Sequence, residues 1–332
     1  TGLYRGYEVS HARWGDAATE TFYNPLIAPI DRLESGYVVG RDAGRLVVAT
    51  RSAELAGDIE TSTFQGERQV RGRDNLLDGY QQAQTTVARR GELVIGSLEA
   101  VYDADTGALR YSPSAAATEV VIGDGTADGV TGVALDAAWL NALDLGAFKA
   151  YARAGITVND ALSVGLGGDI ALHATQVDIN ADLTARGGSI ALGNMVERLE
   201  SAAAGWLEAD ITNFLMPGYT EQVRVADGVT LDVRGNWNNL SLDGSSIAGV
   251  PYINGGSVRL RSSGNVELLE GSAIDVSSGA TLDADRGLTG GRGGSIDIGA
   301  GVNGGGGSIV LDADLRAQGV SGGGSLSIDN GT

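Results

Sequence analysis

Six times the chain writes two glycines, a serine or aspartate, and an aliphatic–any–aliphatic triplet. The copies are GGDIAL at 167–172, GGSIAL at 187–192, GGSVRL at 255–260, GGSIDI at 293–298, GGSIVL at 306–311 and GGSLSI at 323–328. A flexible linker has no reason to reissue a strand signal after every glycine pair. Repetition at this scale marks architectures in which one unit cannot bury its apolar face alone and must stack on the next. Between the copies lie further short stretches of alternating apolar and polar residues: AGITV (154–158), TQVDI (175–179), ADLTA (181–185), GVTLDV (228–233), GNVELL (264–269) and SAIDV (272–276). Each is bounded by Gly, Asn, Asp or Ser, the punctuation of short strands.

The clearest period runs from Ile170 to Ile190, 20 residues, and Phe148 lies 22 residues before Ile170. A βαβ crossover needs about 30 residues, whereas 20 suit one coil of two or three short strands joined by tight bends. Stacked coils pair equivalent strands in parallel, about 4.8 Å apart. Ile170 then stands over Ile190 inside, Ala171 and Asp297 face outward, and glycines take the corners, where positive φ or close backbone approach is needed. The predicted fold is therefore all-β, a right-handed parallel β-helix (a solenoid) with loop and helical excursions. The last three copies, 13 and 17 residues apart, read as successive coils.

Three regions follow. Residues 1–34 are an irregular amino-terminal segment. Residues 35–135 are irregular coils: three strands in 35–61, loops at 62–90 and 102–112, and a hairpin turning on DADTG. Residues 136–332 form the regular glycine-rich part, with a short helical turn in 136–146, an excursion at 195–222 with helix over 195–209, and an interruption at 236–254. About 10 to 12 coils give a rod of roughly 50 Å.

The 52 glycines sit beside an apolar fraction of 42%, which excludes a disordered glycine tract. With no cysteine there is no disulfide framework and no thiolate nucleophile or metal site. A net charge of −19, spread along the chain, repels a phosphate backbone, so no nucleic-acid partner is expected. No run of 18 apolar residues is present, so no membrane insertion is expected. The opening TGLYRGYEVS carries no leader and reads as a mature or excised piece. The closing GGSLSIDN ends on an uncapped strand signal, from which the chain is expected to continue beyond Thr332.

Candidate chemistry is sparse. The glycine runs lack the strand–loop–helix setting and the lysine of a phosphate loop. Asp103 and Asp105 in DADTG resemble the first half of a calcium loop, but the later oxygen ligands are missing, so a β-turn is preferred and no cofactor is expected. GDGTADG (123–129) is a lesser case. Asp178, Asp232, Asp275 and Asp297 each sit between aliphatics and face outward. Glycoside hydrolysis needs two carboxylates about 5–10 Å apart, and these four do not fall on evidently adjacent coils. His11 and His173 lack triad or metal partners, and alternation places His173 outside. Arg68, Arg71, Arg73, Arg89 and Arg90 mark a solvated loop. Trp206, Phe214, Leu215 and Met216 cap a flank of the solenoid or, alternatively, contact a partner. No catalytic residue is assigned.

The runs VTLDVRGNWNN (229–239), NGGSVRLRSSGNVELLEGSAIDVSSGA (254–280) and GGGGSIVLDADLRAQG (304–319) resemble the filamentous-haemagglutinin-like exoproteins of bacterial two-partner secretion. VVGRDAGRLVVATRSAELAGDIETSTFQGERQ (38–69) is similar to the region before the repeats of that family. The resemblance covers most of the chain from residue 35 and implies a secreted or cell-surface β-helical protein of a Gram-negative bacterium. It also implies export through an outer-membrane β-barrel transporter, recognised by an amino-terminal secretion domain not evident in this sequence. The function expected is a structural and adhesive shaft displaying loops to a host receptor or glycan. The alternatives are a carbohydrate-active β-helix enzyme and a stalk for a signalling or toxin-delivery protein.

Overall fold

A computed structural model describes residues 6–11, 18–23, 38–66, 87–102, 109–114, 116–123, 132–201, 205–210, 219–242, 250–283, 285–302 and 306–331. The chain divides into two compact units, one of residues 1–37 with 73–82 and the other of residues 38–72 with 83–332. In the smaller unit Gly6–His11 pairs antiparallel with Ala18–Tyr23.

The larger unit is all-β and built on parallel sheets. Its first sheet has eight strands, Arg45–Val48, Glu92–Ile95, Ala147–Tyr151, Asp169–His173, Ser189–Gly193, Ser257–Arg261, Ser295–Ala300 and Ser325–Asn330. Every neighbouring pair is parallel, and the order in space is the order in sequence. Between visits to this sheet the chain contributes strands to a second. There Glu119–Ile122, Gly155–Val158, Gln176–Ile179, Gln222–Val225, Asn265–Asp275 and Ile309–Arg316 also pair in parallel and in chain order. The register of Asn265–Asp275 shifts between Leu268 and Ser272, so this strand bends into a third column. That column runs Leu162–Ser163, Leu183–Thr184, Thr230–Asp232 and the end of Asn265–Asp275.

Period-two alternation sends one side of the interior strands into a common core, whereas the end strand Ser325–Asn330 is exposed throughout. Phe148, Ile170, Ile190, Val258 and Ile296 are directly in register and at most 2% exposed. Facing them from the second sheet are Val120, Ile156, Val177, Val223 and Val266, and from the third column Leu162, Leu183, Leu231 and Ile274. The ladder expected of Phe148, Ile170 and Ile190 is present.

The glycine pair has a specific steric cause. A Cβ on Gly188 would overlap the carbonyl oxygen of Gly168, one on Gly256 that of Gly188, one on Gly294 that of Gly256, and one on Gly324 that of Gly294. Successive passes touch backbone to backbone along this corner, which only glycine permits. The motif nevertheless does not mark a single position. GGSIDI and GGSLSI are direct neighbours in the first sheet, Ile296 opposite Leu326, whereas GGSIVL pairs with Asn265–Asp275 in the second. The last three copies are therefore not successive equivalents. The same close approach recurs at a different corner, where Gly307 abuts Gly264.

Other expectations change as well. The described residues of 195–209 are not helical: Met195–Ser201 and Gly205–Asp210 pair as antiparallel strands. Gly205 disfavours a helix there by about 1 kcal/mol, and the pairing lets both strands satisfy their backbone groups against each other. A second such pair, Ser97–Tyr102 with Leu109–Ser114, is present as expected, and its second strand lies against Gly205–Asp210. Within 35–61 two short strands form rather than three, and Leu46 is 41% exposed because it pairs with Leu93 on one side only among the described residues.

The short helix Ala137–Ala142 is capped by Asp136, whose side chain accepts from the Trp139 N–H. It buries Leu140 and turns Asn141 toward the third column. There the Asn141 amide donates to the Ala161 carbonyl at 2.8 Å and accepts from the Ser163 N–H at 2.8 Å. One side chain thus supplies the pairing that another strand would give at that edge.

Candidate functional site

Where backbones meet without side chains, the corner before the first sheet is left as a trough. Gly146, Gly165 and Gly167 floor a cleft of about 230 Å³, walled by Arg89, Arg90, Gln65, Thr63 and Tyr252. These residues come from distant parts of the sequence. Gln65 is fixed by pairing with both backbone groups of Ala88, its amide donating at 2.8 Å and accepting at 3.1 Å. Arg89 donates to the Gly167 carbonyl at 2.9 Å and reaches Asp169 at 3.3 Å, while Arg90 pairs with Asp144 at 2.7 Å. Asp42 accepts from the Arg89 N–H at 2.8 Å.

Tyr252 arrives from the 236–254 interruption. The turn Val250–Tyr252 lays the Tyr252 ring against Gly167 and its Cβ and carbonyl against Gly187, both glycines at positive φ (72° and 65°). A side chain at Gly167 would displace the ring. Burial pushes the Tyr252 hydroxyl above its ordinary pKa, with Arg89 opposing and Asp42 adding to the rise. A separate open groove of about 580 Å³ runs along Gly188, Gly256, Gly294 and Gly324, edged by Ser295 and Arg292.

The aspartates singled out in the sequence are distributed unevenly. Asp232 and Asp275 stand directly opposite each other on adjacent parallel strands, which corrects the expectation that none of the four are neighbours. Strand spacing puts them about 4.8 Å apart at the backbone. Their adjacency is hidden in the sequence because the 236–254 interruption adds residues between two strands that are consecutive in space. Both are 8% exposed, and Arg234 sits on them, at 2.6 Å and 2.9 Å from the Asp232 oxygens and 3.9 Å from Asp275. Burial raises the Asp232 pKa, but the Arg234 guanidinium and N–H outweigh it and hold the carboxyl below its ordinary value. Asp178 accepts from Gln176 at 2.7 Å, and Asp297 lies 3.6 Å from both Arg259 and Arg261 on the outer face of the first sheet.

His173 also departs from expectation. Alternation does place it opposite the inward Leu172, yet it is only 8% exposed. Its ring stacks on Tyr151 with centroids 5.8 Å apart, and Nδ1 lies 3.0 Å from the Gly193 carbonyl. Burial lowers its pKa to about 4; the Gly193 carbonyl opposes the shift, and Arg259 and Lys149 add to it. Nearby Glu92 is pushed up by burial but held below its ordinary value by Lys149 at 2.7 Å and Arg45 at 2.6 Å.

Asp103, Asp105, Phe214, Leu215 and Met216, like Arg68, Arg71 and Arg73, lie outside the described residues; of Trp206 and His11 only the strands are described. Among the described residues no three acidic or histidine side chains converge on a possible metal position. No described helix is long and apolar enough to cross a membrane. Sequence reasoning took Arg89 and Arg90 for a solvated loop and passed over Tyr252, whose one local signal is an aromatic residue shortly before a Gly-Gly pair. No known family, no curated protein and no solved structure matches this chain.

Proposed function

We propose that the chain is a right-handed parallel β-helix from a secreted or cell-surface bacterial exoprotein, a rigid shaft displaying loops for attachment to host or neighbouring cells. One observation carries the reading. Eight first-sheet strands pair in chain order while intervening strands add to two further columns, the connectivity of a chain winding round one axis. Seven steps of about 4.8 Å give the first sheet a length of roughly 34 Å. A continuous aliphatic interior and backbone ladders make such a shaft stiff, which leaves variation and contact to the interruptions. Export through an outer-membrane β-barrel partner, as in filamentous-haemagglutinin-like exoproteins, belongs to this proposal and accounts for a cysteine-free, acidic chain. No cofactor has a role in it.

The Asp232–Asp275 pair is what a carbohydrate-active enzyme would be built on. Hydrolysis requires both carboxyls to reach the scissile bond, and here Arg234 lies over the pair, 2.6 Å from Asp232 and 3.9 Å from Asp275, with both aspartates only 8% exposed. The non-catalytic reading is therefore preferred. Two measurements test the proposal. Hydrogen exchange on the purified chain should show the ladder amides of the first sheet protected together from Glu92–Ile95 to Ser295–Ala300, and free exchange of the interior members would overturn the β-helix. Beads coated with the chain should attach to epithelial or bacterial cells above albumin-coated beads; equal attachment would overturn the adhesive role.

A further inference from the structure

We infer that the cleft between Tyr252, Arg89 and Arg90 binds a neutral pyranose ring of a glycan chain. The inference rests on the attachment reading above and names the ligand class that this surface takes. Three features converge on it. The cleft combines a glycine floor with one aromatic wall, and an aromatic face suits the axial C–H side of a sugar ring. The two arginines are held in ion pairs, Arg89 with Asp169 at 3.3 Å and Arg90 with Asp144 at 2.7 Å. Each carboxylate stands beside the cleft and orients an arginine that lines it, and the guanidinium N–H groups are donors suited to vicinal sugar hydroxyls. The volume, about 230 Å³, lies just below the usual range for drug-sized ligands and suits one sugar ring.

The charges decide against an acidic sugar. Arg89 pairs with Asp169 and Arg90 with Asp144, Asp42 adds a third carboxylate on the Arg89 backbone N–H, and the chain as a whole carries −19. An incoming carboxylate would meet cations already neutralised inside a negative field. A peptide fits less well, because only Val87, Ala88 and Leu166 offer apolar contact in the cleft.

The test is saturation-transfer NMR on the purified chain with four probes: methyl glucoside, galactoside, N-acetylglucosaminide and glucuronide. The expected result is transfer to ring C–H protons of at least one neutral probe and none to the glucuronide. Tyr252→Ala should weaken binding about tenfold, the size of one lost aromatic stack, while Tyr252→Phe retains it. Arg90→Gln should weaken it comparably with an unchanged melting temperature, which separates binding from folding. No transfer to any neutral probe, preference for the glucuronide, or unchanged binding by Tyr252→Ala would each overturn the inference. Bead attachment surviving Tyr252→Ala removes this site and leaves the shaft standing. Sugar binding by a chain whose beads attach to no cell does the reverse.

Discussion

Acidification should weaken this fold through His173 before most carboxylates are protonated. The ring is packed on Tyr151, bonded to the Gly193 carbonyl and neighboured by Lys149 and Arg259. Its pKa falls from 6.5 in the unfolded chain to about 4 in the fold. Between those values the unfolded state holds a proton that the folded state lacks, so stability rises with pH across the window. The contribution is fully present above about pH 6.5 and is lost progressively toward pH 4. At 1.36 kcal/mol per unit, the loss comes to about 3 kcal/mol. Urea denaturation of the wild type and of His173→Gln at several pH values between 7.5 and 4 isolates this term. Carboxylates common to both proteins cancel in the difference, and glutamine keeps a donor for Gly193. The stability gap should shrink by about 3 kcal/mol in favour of the variant as the pH falls. A gap independent of pH would refute the assignment, and a gap growing in favour of the wild type would mean that the folded ring gains a proton.

Four further outcomes are expected. Gly256→Ala drives a methyl into the Gly188 carbonyl and should cost about 2 kcal/mol, read as a fall in the urea midpoint. Gly228→Ala, which meets no atom within 4 Å and carries only a φ of 72°, should cost about half as much. Phe148→Ala empties the largest fully buried side chain, which costs about 3–5 kcal/mol and is measurable by the same titration. Asn141→Leu strands the Ala161 carbonyl and the Ser163 N–H, and the Ser163 amide should lose its hydrogen-exchange protection.

Much of the architecture is legible because a parallel ladder repeats one local rule. A glycine pair forced by backbone contact, followed by two inward aliphatics, suffices to place Ile170, Ile190, Val258 and Ile296 in one column. What escapes is whatever depends on the length of the interruptions. Nothing local tells GGSIVL from GGSLSI, yet they occupy different sheets. Asp232 and Asp275 lie on consecutive strands of one column, but the 236–254 interruption stretches the spacing between them well beyond the 20-residue period and hides it. The cleft was unreadable for the same reason, since Gln65, Arg89, Gly167 and Tyr252 meet across nearly 190 positions. His173 was misplaced because alternation reports the side of a sheet, not what a neighbouring ring and the Gly193 carbonyl do on that side.

The helix that carries Asn141 follows a strand that breaks the chain order of the second sheet. Gly132–Leu135 slips between Glu119–Ile122 and the earlier Ala53–Glu54, so that Ala53 pairs with Val133, 80 residues away. Vectorial growth cannot produce that arrangement one pass at a time. Ala53–Glu54 has no partner on that side until Gly132–Leu135 returns, and closing so long a loop delays the reward for ordering everything inside it. The region before Phe148 must therefore condense as a block, and its completed edge is the template on which every later pass is laid with local contacts. Lengthening the 124–131 connection should slow the start of folding and leave the elongation of the glycine-rich passes unchanged.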